Sequence, residues 1–171
     1  MSWPAHSDIK ISDLKASVVI VSDSLFSGEN DITNDQSGPV AIEILTDAGI
    51  NSVNLDYYRD EVSALQSKVE WDVQENVDLI IFVGGTGISP RDVTYEAILS
   101  KLSKELPGFG EEFRRRSIEQ VQGRGILSRA LCGTFSKSLV VSLPGSPNAV
   151  KLGLEIVLSF LGHAINLLRT S

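Results

Sequence analysis

The residues best suited to chemistry follow a short apolar segment in the middle of the chain. Leu79–Val83 leads into Gly-Gly-Thr-Gly at positions 84–87, here termed the glycine loop, and Asp92 follows five residues later. Glycines expose bare backbone amides, and a helix that begins beyond such a loop turns its positive N-terminal end toward the same place. A carboxylate beside these donors can position Mg²⁺. This segment therefore predicts a pocket for a phosphorylated ligand.

Serine and proline stand together at three predicted strand-to-helix junctions. The junctions are Ser37-Gly38-Pro39, Ser89-Pro90 and Ser146-Pro147. Serine is a favoured N-cap and proline a favoured first helical residue, so good capping alone explains any one of them. In a parallel sheet, however, the strands end at one edge, where ligands bind. We therefore expect three helix N-termini to point at one crevice.

Two acidic residues have a structural alternative to a role in this crevice. Asp92 would be the third residue of a helix capped by Ser89, where a carboxylate favours the helix dipole, or it would be a ligand of Mg²⁺. Asp60 either caps the next predicted helix or acts in the site. Local sequence leaves both alternatives open.

Composition limits the class of protein. The chain has 171 residues, of which 42% are hydrophobic and 22% charged, which predicts one globular domain with a full core. The net charge of −7 argues against a nucleic-acid surface, because neutralising phosphates requires clustered lysine and arginine. The N-terminus lacks a secretory apolar segment, and no apolar stretch reaches the roughly 20 residues that span a bilayer. We expect a cytoplasmic protein without a membrane partner.

Apolar periodicity predicts strands that alternate with helices, and therefore an α/β fold with a mostly parallel sheet. Strands are predicted at residues 17–22, 51–58, 79–83 and 139–143, and helices at 40–48, 60–76, 93–104, 110–121 and 146–168. Residues 128–137 predict an edge hairpin or antiparallel strand. Residues 1–16 predict an N-terminal arm before a single domain, residues 17–171. The last helix is apolar nearly all round, which predicts an oligomer.

Five segments in a fixed order resemble one family. They are Gly84–Gly87, Ser89–Thr94, Pro107–Arg114, Ile126–Ala130 and Leu143–Asn148. Together they resemble the MoaB/MogA family of molybdenum-cofactor biosynthesis, from about Ser17 to the C-terminus. The Gly-Gly-Thr-Gly and Pro-Gly-Ser-Pro segments carry most of the specificity. One departure is Tyr95, where many relatives have proline.

The resemblance implies a three-layer α/β/α domain, MogA-like, that assembles as a homotrimer or homohexamer. It implies binding of molybdopterin and Mg²⁺-dependent adenylylation of its terminal phosphate by ATP, with release of pyrophosphate. A separate molybdenum-inserting enzyme would then take the product. Asp60 and Asp92 are the implied catalytic and metal-binding residues. The candidate substrate-binding residues are Ser22, Asp23, Ser37, Gly38, Gly84, Gly85, Thr86, Gly87, Ser89, Arg91, Arg129, Pro144, Gly145, Ser146 and Pro147.

Two other functions fit the same family resemblance. One is a carrier that binds molybdopterin without catalysis, and the other is a scaffolding protein that uses the fold for assembly. A pyrophosphatase acting on another nucleotide is a weaker enzymatic alternative. The presence of both Asp60 and Asp92 favours the adenylyltransferase.

Overall fold

The computed structural model describes residues 9–170 and contains one six-stranded sheet. The strands are β1 (Lys15–Val21), β2 (Ser52–Tyr58), β3 (Leu79–Val83), β4 (Lys104–Glu105), β5 (Leu131–Phe135) and β6 (Ser138–Leu143). Their order is β2-β1-β3-β6-β5-β4. The first four in this order are parallel, and β5 and β4 continue the sheet in antiparallel fashion. The predicted parallel sheet and the predicted antiparallel strand within residues 128–137 are both confirmed.

Helices cover both faces of this sheet. They are α1 (Asp23–Ser27), α2 (Ser37–Asp47), α3 (Val62–Gln74), α4 (Thr94–Leu99), α5 (Pro107–Val121), α6 (Pro147–Leu158) and α7 (Leu161–Arg169). Side chains alternate along β1: Val18 and Ile20 belong to the apolar cluster that contains α2, α5, α6 and α7, whereas Val19 and Val21 belong to the cluster that contains α3 and α4. Because both faces are covered, β3 and β6 are buried at every residue, which explains the uninterrupted apolar sequence of β3 and the apolar run Leu139–Val141 in β6. The predicted three-layer α/β/α architecture is confirmed.

The N-terminal part of the domain begins earlier than predicted. Strand β1 starts at Lys15, two residues inside the predicted arm, and Leu14 before it is already buried. Ile11–Asp13 forms a single 3₁₀ turn. The rest of the arm, residues 1–8, lies outside the described residues. Helix α1 was also not predicted, because its five residues sit in a polar segment whose only local signal is the cap that Ser22 provides to Leu25.

The predicted single closing helix, residues 146–168, is wrong: it consists of α6 and α7, which meet at an angle of 55°. The backbone N–H groups of Ser159 and Phe160 donate to carbonyls three residues back, and the Ser159 hydroxyl also donates to the Ile156 carbonyl at 2.6 Å. A serine that bonds back to the preceding turn competes with the α-helical pattern and ends it there.

The apolar residues of α6 and α7 do not require an oligomer to cover them. Leu152, Leu154, Ile156 and Val157 are buried within the single chain, between the sheet and its neighbouring helices. An apolar surface that is already covered requires no second copy, so assembly stays a prediction from the family resemblance alone.

In the described part of the chain, no single helix is long and apolar enough to cross a membrane, and only the bent α6–α7 pair reaches that length together.

Candidate functional site

Three distant segments of the chain are hydrogen-bonded to one another at the carboxyl ends of the parallel strands. The amide of Gly84 donates to the Leu143 carbonyl at 2.9 Å, which joins the loops that follow β3 and β6. The Ser37 hydroxyl donates to the Gly145 carbonyl at 2.6 Å, which brings the start of α2 to the same place. This is the edge of the sheet at which a ligand site was expected.

Two adjoining cavities open at this edge and meet at Gly145. The first, here termed the main cleft, has a volume of about 320 Å³. Its walls are residues 85–87, Asp92, residues 144–146, the first turns of α6, and side chains from residues 117–128. The second, here termed the side pocket, has a volume of about 360 Å³ and is lined by the segments after β1 and before α2. The two volumes together suit two small ligands lying side by side.

Close backbone packing fixes the shape of the glycine loop. Gly84 has φ of +109° and Gly85 has φ of +66°, backbone conformations that residues with a side chain rarely adopt. A Cβ on Gly84 would overlap the Val21 carbonyl oxygen. A Cβ on Gly85 would overlap the Thr94 hydroxyl and lie 2.7 Å from Oδ1 of Asp60. The loop therefore passes directly between β1 and the acidic side chain of Asp60.

The segment after the loop is a turn rather than the start of a helix. The Asp92 carboxylate accepts the Ser89 amide at 2.8 Å, and the Asp92 amide donates back to the Ser89 carbonyl at 2.9 Å. Helix α4 begins only at Thr94. The expectations that Ser89 caps this helix and that Pro90 is its first residue are therefore wrong. Of the two alternatives for Asp92, the one in which it stabilises the helix dipole is not observed, because Asp92 itself closes the turn.

The other two junctions differ from each other. Ser146 caps α6 as predicted and accepts the Ala149 amide at 3.2 Å. Ser37 does not cap α2: the Asp35 carboxylate accepts the amides of Ser37 and Gly38 instead, at 2.9 and 3.1 Å. The Ser37 hydroxyl is thereby free to donate to the Pro-Gly-Ser-Pro segment. The predicted cap at Ser146 is confirmed. The predicted cap at Ser37 is wrong, and this serine instead connects the start of α2 to Gly145.

Negative charge is concentrated beside the glycine loop. Burial raises the pKa of Asp60, and the nearby charge of Asp92 raises it further. The Asp60 amide donates to Asp23 at 3.0 Å, and Asp23 forms an ion pair with Arg91. The N-cap residue of α3 is Glu61, so the alternative in which Asp60 caps this helix is not observed. Asp60 and Asp92 repel each other across the loop, and a cation between them would relieve that repulsion.

This pair fits a weakly coordinated hard cation better than a closed metal site. Within residues 9–170, no group of three or more histidine, cysteine or acidic side chains is arranged to hold a metal. Mg²⁺ typically takes one or two carboxylates and completes its shell with water and substrate phosphates. Asp60 and Asp92 supply that number of carboxylates, and both lie against the glycine loop.

Arg129 supports the glycine loop without lining the main cleft. Its guanidinium donates to the Gly87 carbonyl at 2.6 and 3.0 Å, forms an ion pair with Glu96, and lies 4.9 Å from the centre of the Tyr95 ring. These contacts engage a side chain that was predicted to bind substrate. Tyr95, the departure from the family pattern, belongs to this same support.

Comparison with known proteins agrees with this geometry. The family model described as probable molybdopterin binding domain matches residues 17–163. Molybdenum cofactor biosynthesis protein B of Staphylococcus aureus is 39% identical over 166 residues, which cover 94% of this chain and 96% of the relative. The chain belongs to this family.

Solved structures of the family share the whole fold. The molybdopterin biosynthesis Mog protein from Mycobacterium ulcerans superposes with a TM-score of 0.83 at 33% identity, covering 91% of this chain and 99% of that protein. The tungsten cofactor synthesizing protein MoaB from Pyrococcus furiosus superposes with a TM-score of 0.81 at 36% identity, covering 91% and 97%. The predicted MoaB/MogA resemblance and the MogA-like fold are thus confirmed.

Most of the predicted site residues of this family member come together. Gly85, Thr86, Gly87, Asp92, Pro144, Gly145 and Ser146 line the main cleft. Ser22, Ser37, Gly84, Gly145 and Pro147 line the side pocket. The residues that line neither cavity are Asp23, Gly38, Asp60, Ser89, Arg91 and Arg129. Of these six, Gly38 packs against Asp35 and Arg129 supports the loop, whereas Asp23, Asp60 and Arg91 form a charged cluster beside it.

Sequence reasoning missed one wall of the main cleft. Ser117, Gln120, Arg124 and Ser128 come from the end of α5 and the turn after it, and Asn148 comes from α6. The available signal was Gly123-Arg124-Gly125, in which two glycines mark a change of chain direction at the end of a predicted helix.

The contacts of Arg129 predict a stability effect. We expect Arg129→Gln to lower the free energy of unfolding by about 2 kcal/mol, because a charged donor is removed from the Gly87 carbonyl of the glycine loop. Urea denaturation measures this change. Arg115→Gln is the control, since Arg115 pairs with Glu112 and Glu119 on an exposed helix face, where ion pairs contribute little, and its substitution should cause a much smaller loss. Equal losses in both variants would contradict the role of Arg129.

The raised pKa of Asp60 predicts a pH-dependent gain in stability. A carboxyl whose pKa is higher in the folded state favours folding while it is neutral, and this contribution is lost as the pH rises through the raised pKa. Asp60→Asn should therefore be more stable than the parent chain at pH 7, with the difference vanishing at acidic pH. Urea denaturation from pH 4 to pH 8 measures it.

Asp31→Asn is the control of opposite sign. Backbone and side-chain hydrogen bonds from Thr33 lower the pKa of Asp31, so its ionised form favours the fold and this contribution fades as the pH falls. Asp31→Asn should show no gain at pH 7. If Asp60→Asn is no more stable than the parent chain at pH 7, the charge of Asp60 does not lower the free energy of unfolding.

Proposed function

We propose that this chain acts in molybdenum cofactor biosynthesis by binding molybdopterin and adenylylating its terminal phosphate with ATP. The observation that carries the proposal is the meeting of the glycine loop, Asp92 and the capped N-terminus of α6 in one cleft. Two findings on relatives support it. The matching family is described as a probable molybdopterin binding domain, and a relative with 39% identity is named molybdenum cofactor biosynthesis protein B.

The proposed reaction needs alignment and charge screening more than acid–base catalysis. A phosphate oxygen of molybdopterin attacks the α-phosphorus of ATP, the bond from that phosphorus to the bridging oxygen of the β-phosphate breaks, and pyrophosphate leaves. The nucleophile is already ionised near neutral pH, so no side chain has to remove its proton. The two anionic reactants must instead be held in line within one site.

The residues of the cleft suit these tasks. Backbone amides of the glycine loop and of the first turn of α6 offer hydrogen bonds and a positive dipole end to phosphate groups. Asp60 and Asp92 would hold Mg²⁺, which when bound supplies positive charge that screens the phosphates. The side pocket, joined to the main cleft at Gly145, gives the second substrate its own space.

Release of pyrophosphate tests the proposal directly. The purified chain, incubated with molybdopterin, ATP and Mg²⁺, should release one pyrophosphate for each adenylylated pterin formed. Binding of molybdopterin without release would favour the carrier. Absence of pterin and nucleotide binding would favour the scaffolding protein. Nucleotide hydrolysis without pterin would favour the pyrophosphatase. A cytoplasmic homotrimer or homohexamer and a partner molybdenum-inserting enzyme stay predictions.

A further inference from the structure

An anionic ligand in the main cleft is favoured by a nearby cation, and both arginines among the predicted substrate-binding residues are engaged elsewhere. Arg91 forms an ion pair with Asp23. Arg129 is paired with Glu96 and bonded to loop carbonyls. The chain carries a net charge of −7, and the cleft is bordered by the carboxylate of Asp92, so its surroundings do not attract phosphate by themselves.

Arg124 is the basic side chain that lines the main cleft. It is exposed, and among residues 9–170 its side chain forms no ion pair or hydrogen bond. Its guanidinium therefore keeps its full donor capacity for a ligand. The neighbouring cleft residues Ser117 and Gln120 on α5 add a hydroxyl and an amide, and Val121 and Leu127 add apolar surface.

The backbone explains why Arg124 returns to the cleft after α5 has ended. Gln122 has φ of +55°, which reverses the chain, and residues 122–127 form a 3₁₀ turn. Gly125 then packs on the helix that it has just left: a Cβ there would lie 2.8 Å from the Ile118 amide nitrogen and 3.0 Å from the Ser117 carbonyl carbon. Only glycine permits this approach, which anchors the turn beside Ser117 and so beside the cleft.

We infer that Arg124 is the phosphate-recognition residue of the main cleft. Its planar fork of N–H donors matches the oxygens of a phosphate group and can bind two of them at once. The N-terminus of α6, capped by Ser146, borders the same cleft and adds its amides and dipole. The inference rests on the proposed function, in which the phosphate belongs either to molybdopterin or to ATP. These two sources share the same chemistry.

Binding measurements on four proteins test the inference: the parent chain, Arg124→Gln, Arg124→Lys and the control Arg115→Gln. Each is titrated separately with molybdopterin, with dephosphorylated molybdopterin and with ATP. Arg124→Gln should weaken binding of one phosphorylated ligand about 10-fold and flatten its dependence on salt, because a charge-assisted contact is lost. Arg124→Lys should recover part of the loss. Dephosphorylated molybdopterin should bind all four proteins equally, which excludes damage to the cleft.

The outcomes separate the inference from the function on which it rests. Loss confined to molybdopterin assigns Arg124 to the pterin phosphate, and loss confined to ATP assigns it to the nucleotide. Unchanged binding of both ligands by Arg124→Gln overturns the inference and leaves the proposed function intact. Equal weakening of dephosphorylated molybdopterin also overturns it, since the effect would then be structural. A parent chain that binds neither molybdopterin nor ATP overturns the proposed function and the inference together.

Discussion

Asp92→Asn should slow pyrophosphate release by about 100-fold while molybdopterin binding stays within a few-fold of the parent chain. The asparagine side chain keeps an oxygen that can accept the Ser89 amide, so the turn formed by residues 89–92 should survive. The substitution then removes one negative charge and little else. Because that charge is proposed to hold Mg²⁺, the Mg²⁺ concentration for half-maximal rate should also rise.

Steady-state rates at several Mg²⁺ concentrations measure both effects. Asp47→Asn is the matched control, because Asp47 is an exposed aspartate at the end of α2, away from both cavities. It should have the rate and the Mg²⁺ requirement of the parent chain. Full turnover by Asp92→Asn at the parent's Mg²⁺ requirement would reject Asp92 as a catalytic residue.

Gly84→Ala should lower the free energy of unfolding by about 3 kcal/mol and abolish ligand binding. Two effects add at this position. The backbone has φ of +109°, and the new methyl group would overlap the Val21 carbonyl oxygen, which belongs to β1, a strand paired on both sides that cannot move aside. The glycine loop would have to leave the edge of the sheet, and the hydrogen bond from Gly84 to Leu143 would be lost with it.

Gly28→Ala separates these two effects. Gly28 also has a positive φ, +79°, but a Cβ there meets nothing within 4 Å. Its substitution should cost about 1 kcal/mol from backbone conformation alone. Urea denaturation of both variants, with ligand titration of each, makes the comparison. If both variants lose the same free energy of unfolding, the close approach of Gly84 to β1 does not add to the cost of Gly84→Ala.

The fold could be predicted because its signals are local and repeated. Uninterrupted β-branched and apolar runs such as Leu79–Val83 identify strands covered on both faces, and their alternation with helical segments leads to a parallel sheet. From a parallel sheet it follows that the loops after β3 and β6 meet at one edge. Thus Thr86, Asp92 and Ser146 could be placed in one cleft although 60 positions separate the first from the last.

The errors arose where a local signal has two outcomes that only tertiary contacts decide. A serine before a helix can cap it, as Ser146 does, or bond to a distant carbonyl, as Ser37 does with Gly145. An aspartate at position 92 is compatible with the first turn of a helix or with a separate turn, and its hydrogen bond with Ser89 shows that it forms the separate turn. Arg124 could not be assigned at all, since its position depends on how Gly125 packs against α5.

The far end of the sheet limits how copies of this chain can associate. Strand β4 is only two residues long, and its side chains, Lys104 and Glu105, are both charged and exposed. So short and charged a strand is a poor template for backbone pairing with another polypeptide, and natural proteins use such borders to prevent aggregation. Any self-association there would rely on side-chain contacts, and a cross-molecular extension of the sheet past β4 is disfavoured.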